Sequence, residues 1–147
     1  MAIGKVKEKH YQQAVNEYLK RLSPYAKINV QELKAESFNE SNKLRAKEIE
    51  AERILSYIKK FEESCIIVLD ENGEQLSSKD FAKKLEKINK QVIFIIGGSL
   101  GLSNKILENR NKIALSKMTL PHELARVVLV EQLYRAVTIV KNKEYHY

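Results

Sequence analysis

At 147 residues, 44% of them hydrophobic and 31% charged, the chain has the composition of one folded globular domain with a core of its own, which excludes a disordered class. Cys65 is the only cysteine and can form no intramolecular disulfide, and the lack of an early apolar h-region or of any apolar run beyond about five residues argues against a signal peptide and a membrane span. Lys and Arg outnumber Asp and Glu by 26 to 19, a formal charge of +7, with basic residues gathered from Gly4 to Lys27; that surplus suits a polyanion such as RNA and equally suits plain solvation of helix surfaces.

In chain order, Tyr11, Ala14, Val15, Tyr18, Leu19 and Leu22 recur at helical spacing and share one face, and Pro24 ends that helix. Ile28 and Val30 then alternate as in a strand. From Ser41 to Lys60 a highly charged stretch carries Leu44, Ala51, Ile54, Leu55 and Ile58, a stripe suited to a helix lying on a sheet. Cys65 to Leu69 is a continuously apolar strand, so its thiol is expected to be structural rather than reactive. Asp70-Glu71-Asn72-Gly73 predicts a turn, and Ser77 with Asp80 predicts a capped helix through Phe81, Ala82, Leu85 and Ile88. Val92 to Ile96 is the next strand. Two strands without polar alternation, joined through a helix, predict an α/β fold whose parallel sheet is covered by helices on both faces.

Beyond Ile96 come a glycine-rich turn from Gly97 to Leu102, a short helix capped by Ser103, a strand from about Lys112 to Leu115, and a loop from Ser116 to Leu120. Pro121 opens the last helix. Leu124, Val127, Val128, Leu129, Val130, Leu133, Tyr134 and Val137 spread nearly round its axis. Such a helix needs cover on more than one side, and the sheet together with a dimer partner would supply it.

Glycines directly after a buried strand let backbone approach a ligand closely, and open parallel sheets bind ligands at such carboxyl ends. Gly97, Gly98 and Gly101 do not form G-x-G-x-x-G, and no Gly-Lys-Ser/Thr follows, so a dinucleotide or triphosphate site is disfavoured. A pocket and a mere tight turn remain equally open on this motif alone. His10, His122 and His146 lie far apart without any Cys-x-x-Cys, which predicts no metal, and no nucleophile elbow supports serine hydrolysis. Glu131 and Arg135, at i and i+4, read most simply as a helix-surface ion pair.

Longer strings carry more. Ile3-Gly4-Lys5-Val6-Lys7-Glu8-Lys9, Val92 through Gly101-Leu102-Ser103, Ser116-Lys117-Met118-Thr119-Leu120-Pro121-His122, Glu131-Gln132-Leu133-Tyr134-Arg135-Ala136 and the ending Tyr145-His146 span essentially the whole chain. In that order they resemble the SPOUT-class methyltransferases that modify N3 of a pseudouridine in large-subunit ribosomal RNA, the RlmH family. The resemblance implies a carboxyl-terminal trefoil knot and a cytoplasmic homodimer built on the last helix, acting on the assembled ribosome. It also implies S-adenosylmethionine held by backbone near Leu69, near Gly97, and along Leu115, Ser116, Lys117, Met118, Thr119 and Leu120.

By the same likeness His146 is the candidate base that takes the imide proton, with Tyr145 and Arg135 beside it. The tail from Lys141 to Tyr147, with two lysines and two tyrosines, would clamp phosphate, stack on a base and close over the partner's cofactor; a frayed terminus is the bland alternative. Arg126 could contact RNA or simply satisfy polar groups inside the helix interface. Two departures from the family stand out: only Met1 and Ala2 precede the Ile-Gly-Lys string, and Leu120 and Glu123 occupy places where relatives often carry Phe and Gln. The rival reading is a basic dimer that binds ribosomal RNA without catalysis.

Overall fold

The computed structural model describes residues 1–145, with elements β1 (Ala2–Ile3), α1 (Lys9–Leu22), β2 (Glu32–Leu33), α2 (Lys43–Ile58), β3 (Cys65–Gln75), α3 (Ser78–Glu86), β4 (Val92–Ile95), α4 (Asn104–Leu107), β5 (Asn111–Ala114) and α5 (His122–Val140). All strand pairs are parallel: β1 beside β2, and β3 between β4 and β5. A bridge from Ala2 to Ile96 stitches the two groups together, so the strands run in the order β2-β1-β4-β3-β5. Its hydrogen bonds run from the Ile3 amide to the Ile96 carbonyl at 3.2 Å and from the Ile96 amide to the Met1 carbonyl at 3.1 Å.

Successive side chains of a strand point to opposite faces, and here both faces are apolar. Ile3, Val68, Ile93 and Ile95 pack on one face with Ala51 and Ile54 of α2 and Ile106 of α4. Ala2, Ile67 and Ile96 pack on the other with Phe81 and Ala82 of α3 and Leu129 and Ala136 of α5. The result is the expected α/β layering, helices on both faces of a parallel sheet. The Ser77 hydroxyl accepts from the Asp80 amide at 3.1 Å, as the cap signature predicts, and Ser103 likewise caps α4.

Two local expectations need correction. The strand near Ile28 and Val30 does not form there; the paired residues are Glu32 and Leu33, because β1 begins at Ala2 opposite Glu32 and offers nothing for residues 28–30 to pair with. Both side chains stay exposed, Ile28 at 38% and Val30 at 53%. The segment Asp70–Gly73, expected as a turn, belongs to β3, which continues to Gln75. Its register explains why: Leu69 and Glu74 both stand opposite Ile113 of β5, so residues 70–73 bulge out of the ladder without ending the strand. A Cβ on Gly73 would stand 2.7 Å from both the N and the C of Ile113, a crossing that only glycine permits.

Helix α5 is gripped by α1 and α3. Leu129, Val130 and Ala136 are buried, whereas Leu124, Val127, Val128, Leu133, Tyr134 and Val137 are only half-buried. Among the described residues no helix is long and apolar enough to cross a membrane.

Candidate active site

The parallel register puts the carboxyl ends of β4, β3 and β5 side by side: Val68 lies opposite Ile95, and Leu69 opposite Ile113. Three loops leave from this one edge, and they are the three that carry Leu69, Gly97 and the run from Leu115 to Leu120. After β4 the backbone doubles back at once, with the Gly101 amide donating to the Gly98 carbonyl at 3.0 Å. Gly101 adopts a φ of +68°, a left-handed conformation that a side chain would strain, and a Cβ there would meet nothing within 4 Å. Gly97 nests against Leu102, with only 3.1 Å between a hypothetical Cβ and the Leu102 Cγ.

The third loop is shaped by its own side chains. The Ser116 hydroxyl accepts from the Met118 amide at 2.9 Å, and the Thr119 hydroxyl donates to the Glu71 carboxylate, tying this loop to the bend that follows Leu69. Met118 is 77% exposed, and Leu69 and Leu115 pack against the core beneath. Only Lys117 among these eight residues is charged. The rest of the surface of these loops is backbone amides and carbonyls with small or apolar side chains.

Tyr145 and Arg135 come together elsewhere. Arg135 binds Glu131 through Nη2 at 2.6 Å and Nε at 3.0 Å, the ion pair the spacing predicts. Its guanidinium lies 4.8 Å from the centre of the Tyr145 ring and donates to the Tyr145 carbonyl at 3.3 Å. The Tyr145 ring meets Tyr134 edge-on at 4.7 Å, and its hydroxyl stands 3.3 Å from both Tyr18 and Glu131. Burial, then the Tyr18 contact, push the Tyr145 phenol above the ordinary tyrosine range, so it stays protonated and is no base. His146 lies outside the described residues.

The two groups are far apart within one chain. Nineteen residues of α5 separate the loop ending at Leu120 from the tail, a length of about 28 Å at ~1.5 Å per residue.

Sequence reasoning left the roles of Glu123 and Arg126 open. Glu123, in the first turn of α5, accepts the Lys7 and Glu8 amides at 3.0 and 3.1 Å and so fixes the entry of α1. Arg126 is 5% exposed and donates to Glu32 at 2.9 Å, to the Ile3 carbonyl at 2.8 Å and to the Gly4 carbonyl at 2.9 Å. Of the two roles weighed for it, satisfying polar groups inside the fold is the one its contacts describe. His122 is half-buried, and burial followed by the charge of Arg126 holds its ring below the usual imidazole range. Nothing local in the sequence pairs Arg126 with residues more than ninety positions away.

Comparison with known proteins agrees with this architecture. Residues 1–146 match the family model described as "Predicted SPOUT methyltransferase". The chain is 44% identical to the "Ribosomal RNA large subunit methyltransferase H" of Ruminiclostridium cellulolyticum, with 99% of this chain and 96% of that one covered. It is 46% identical to the protein of the same name from Bacillus thuringiensis, at the same coverage. A solved probable methylase family protein from Haemophilus influenzae shares the fold at a TM-score of 0.55 and 14% identity, with 99% of this chain and 69% of that one covered. Strand ends that converge on a glycine turn, a β3 that bulges opposite Ile113, and a match along nearly the whole length lead to one assignment: the chain belongs to the SPOUT methyltransferase family.

Proposed function

We propose that this methyltransferase transfers the methyl group of S-adenosylmethionine to N3 of a pseudouridine in large-subunit ribosomal RNA, working as a cytoplasmic homodimer on the assembled ribosome. The observation that carries the reading is near-full-length identity of 44–46% to enzymes named for that RNA, in a chain whose three loops leave one sheet edge together. Backbone of Leu69, Gly97 and Leu115 to Leu120 would hold the cofactor, with Ser116, Lys117, Met118 and Thr119 lining the outer wall. The bound sulfonium supplies an electrophilic methyl group, so the protein's main burden is alignment and exclusion of water. The bulge of β3 opposite Ile113, with Gly73 pressed against the Ile113 backbone, supports the trefoil knot that the family resemblance implies.

A composite site follows from the length of α5. An antiparallel pair of these helices, joined through the half-buried faces of Val127, Val128 and Val137, would carry the tail of one protomer to the cofactor loops of the other. There His146 would take the imide proton, a contribution of roughly a hundred- to ten-thousand-fold. Arg135 and Tyr145 would hold the tail and meet the RNA. The basic residues between Gly4 and Lys27 supply non-specific attraction to phosphate.

The test is mass spectrometry of ribosomal RNA from cells with and without this chain, with a methylated pseudouridine expected only when it is present. Melting of the purified protein should rise with adenosylmethionine concentration. An unmodified melting curve at millimolar cofactor, with RNA binding intact, would favour the non-catalytic rival.

A further inference from the structure

The chain that follows α5 runs back along α1, antiparallel to it, and is held there at two points. Lys143 donates to the Tyr25 hydroxyl at 2.7 Å, and its ammonium stands 4.9 Å from the centre of that ring. Two residues on, the Tyr145 hydroxyl lies 3.3 Å from both Tyr18 and Glu131. The Tyr134 ring of α5 fills the space between, with its centre 6.2 Å from Tyr18, 6.5 Å from Tyr25 and 4.7 Å from Tyr145. Arg21 closes the far side, 5.6 Å from the centre of the Tyr18 ring and bonded to Glu17 at 2.8 Å.

Counting donors fixes the direction of these bonds. A carboxylate only accepts, so the single Tyr145 proton goes to Glu131, and the Tyr145 oxygen then accepts from the Tyr18 hydroxyl. Glu131 is itself fixed by Arg135 through Nη2 at 2.6 Å and Nε at 3.0 Å, and Arg135 also donates to the Tyr145 carbonyl at 3.3 Å. Phenol and backbone of one tail residue are therefore gripped together, and three of the four groups in the network sit on helices. Glu131 and Arg135 belong to α5, which the tail leaves in any case. Tyr18 belongs to α1, and no contact described for the three cofactor loops involves that helix.

We propose that Tyr18 is a positioning residue for methyl transfer: its hydroxyl, acting through the Tyr145 phenol and Glu131, fixes the course of the tail and so the point at which the tail meets the partner's cofactor loops. The inference rests on the composite site proposed above and adds α1 to it. A short segment without regular structure can follow many courses, and each course that misses the site counts against the rate. Ring contacts press the Tyr145 side chain on α5, and the hydroxyl chain sets how far along α1 its end lies. Tyr18 acts through Tyr145 and not on the reacting atoms.

The experiment uses the full-length protein and ribosomes from cells that lack it. Tyr18→Phe keeps the ring on Tyr134 and deletes one hydroxyl, so kcat should fall about fivefold, the worth of one neutral hydrogen bond, while adenosylmethionine affinity by calorimetry and the KM for ribosomes stay within about twofold. Hydrogen exchange at the Lys143 and Tyr145 amides, bonded to the Thr138 and Lys143 carbonyls at 2.9 Å, should quicken in the same variant. Tyr18→Leu, which also removes the ring, should exceed Tyr18→Phe on both readouts. An unchanged kcat in Tyr18→Phe, where deleting residues 144–147 does slow the reaction, would overturn this inference and leave the composite site standing. A slower reaction with unaltered exchange would overturn it too, since Tyr18 would then act on the RNA directly, as would losses of cofactor affinity and Tm that match the loss of rate. If the deletion itself leaves the rate intact, the composite site fails and the role of Tyr18 fails with it.

Discussion

The two ends of the sheet's strands are built on different plans. At the carboxyl ends, β3, β4 and β5 are locked together: β3 bulges opposite Ile113, Gly73 presses on the Ile113 backbone, and Glu71 reaches over to Thr119. At the amino-terminal edge, β1 and β2 are two residues each, a large cavity lies ahead of them, and one arginine gathers Glu32, Ile3 and Gly4. The cross-links are concentrated where, on the proposed reading, the loops would align the cofactor. The amino-terminal edge is joined to α5 through Arg126, so the two regions should fail in different ways when perturbed.

The largest difference is expected in rate. Deleting residues 144–147 should slow methyl transfer by about a hundred- to ten-thousand-fold while leaving adenosylmethionine affinity and Tm nearly unchanged, since the tail would supply the base and none of the cofactor's backbone cradle. Single-turnover methylation and calorimetric titration separate the two effects. A deletion that left the rate intact would remove the tail from the site and, with it, the need for a partner's contribution.

Arg126→Met reverses the pattern. It removes a buried cation whose three hydrogen bonds tie α5 to the amino-terminal edge, and it leaves the Ile3 and Gly4 carbonyls unmet beside a half-exposed Glu32. A loss of about 3 kcal/mol in urea denaturation is expected, with cofactor affinity little altered in the protein that remains folded. If the cofactor were lost in proportion to stability, the two regions would be one cooperative unit and the contrast would fail.

The carboxyl-end region is probed by two glycines. Gly73→Ala drives a methyl group into the Ile113 backbone and should cost about 2–3 kcal/mol together with cofactor affinity, because relief requires β5 and the loop after it to shift. Gly101→Ala faces open space and strains only its own φ, so about 1 kcal/mol is expected. Near-equal losses at the two positions would mean that the crossing at Gly73 is looser than its geometry states.

Much of this was readable beforehand. The helices around Leu22, Ile54 and Phe81, the strands at Ile67 and Ile93, and the loop beyond Ile96 are local patterns of period and punctuation, and they appear where periodicity places them. The glycine turn was legible as a close-approach site because small residues after a buried strand have few other uses. What the residues could not disclose is non-local. Asp70–Gly73 reads as a turn until Ile113, forty positions later, pairs with both its arms. Ile28 and Val30 read as a strand because alternation says nothing of whether a partner is present. Arg126 stayed open between RNA contact and an internal role because its partners, Glu32 and the Ile3 and Gly4 carbonyls, are brought to it only by folding.

A smaller effect than that of Arg126→Met sharpens the contrast at the amino-terminal edge through pH. The Met1 amino group has a folded-state pKa lowered to about 6 from its usual 8.0, by burial first and by Arg126 second. The unfolded chain therefore binds more protons than the folded one between pH 6 and pH 8, and stability rises with pH across that window. A full two-unit shift corresponds to about 2–3 kcal/mol; about 2 is the larger change to expect from a terminus still partly open to solvent. His122, also lowered by burial, acts in the same direction up to its usual 6.5, so it overlaps only the acid edge of the window. Acetylating the Met1 nitrogen removes the titration, and Tm should then be flat from about pH 7 to 8 while the unmodified chain gains stability. A slope that survives acetylation would have to come from a group at the carboxyl-end region, where the geometry gives no reason for one.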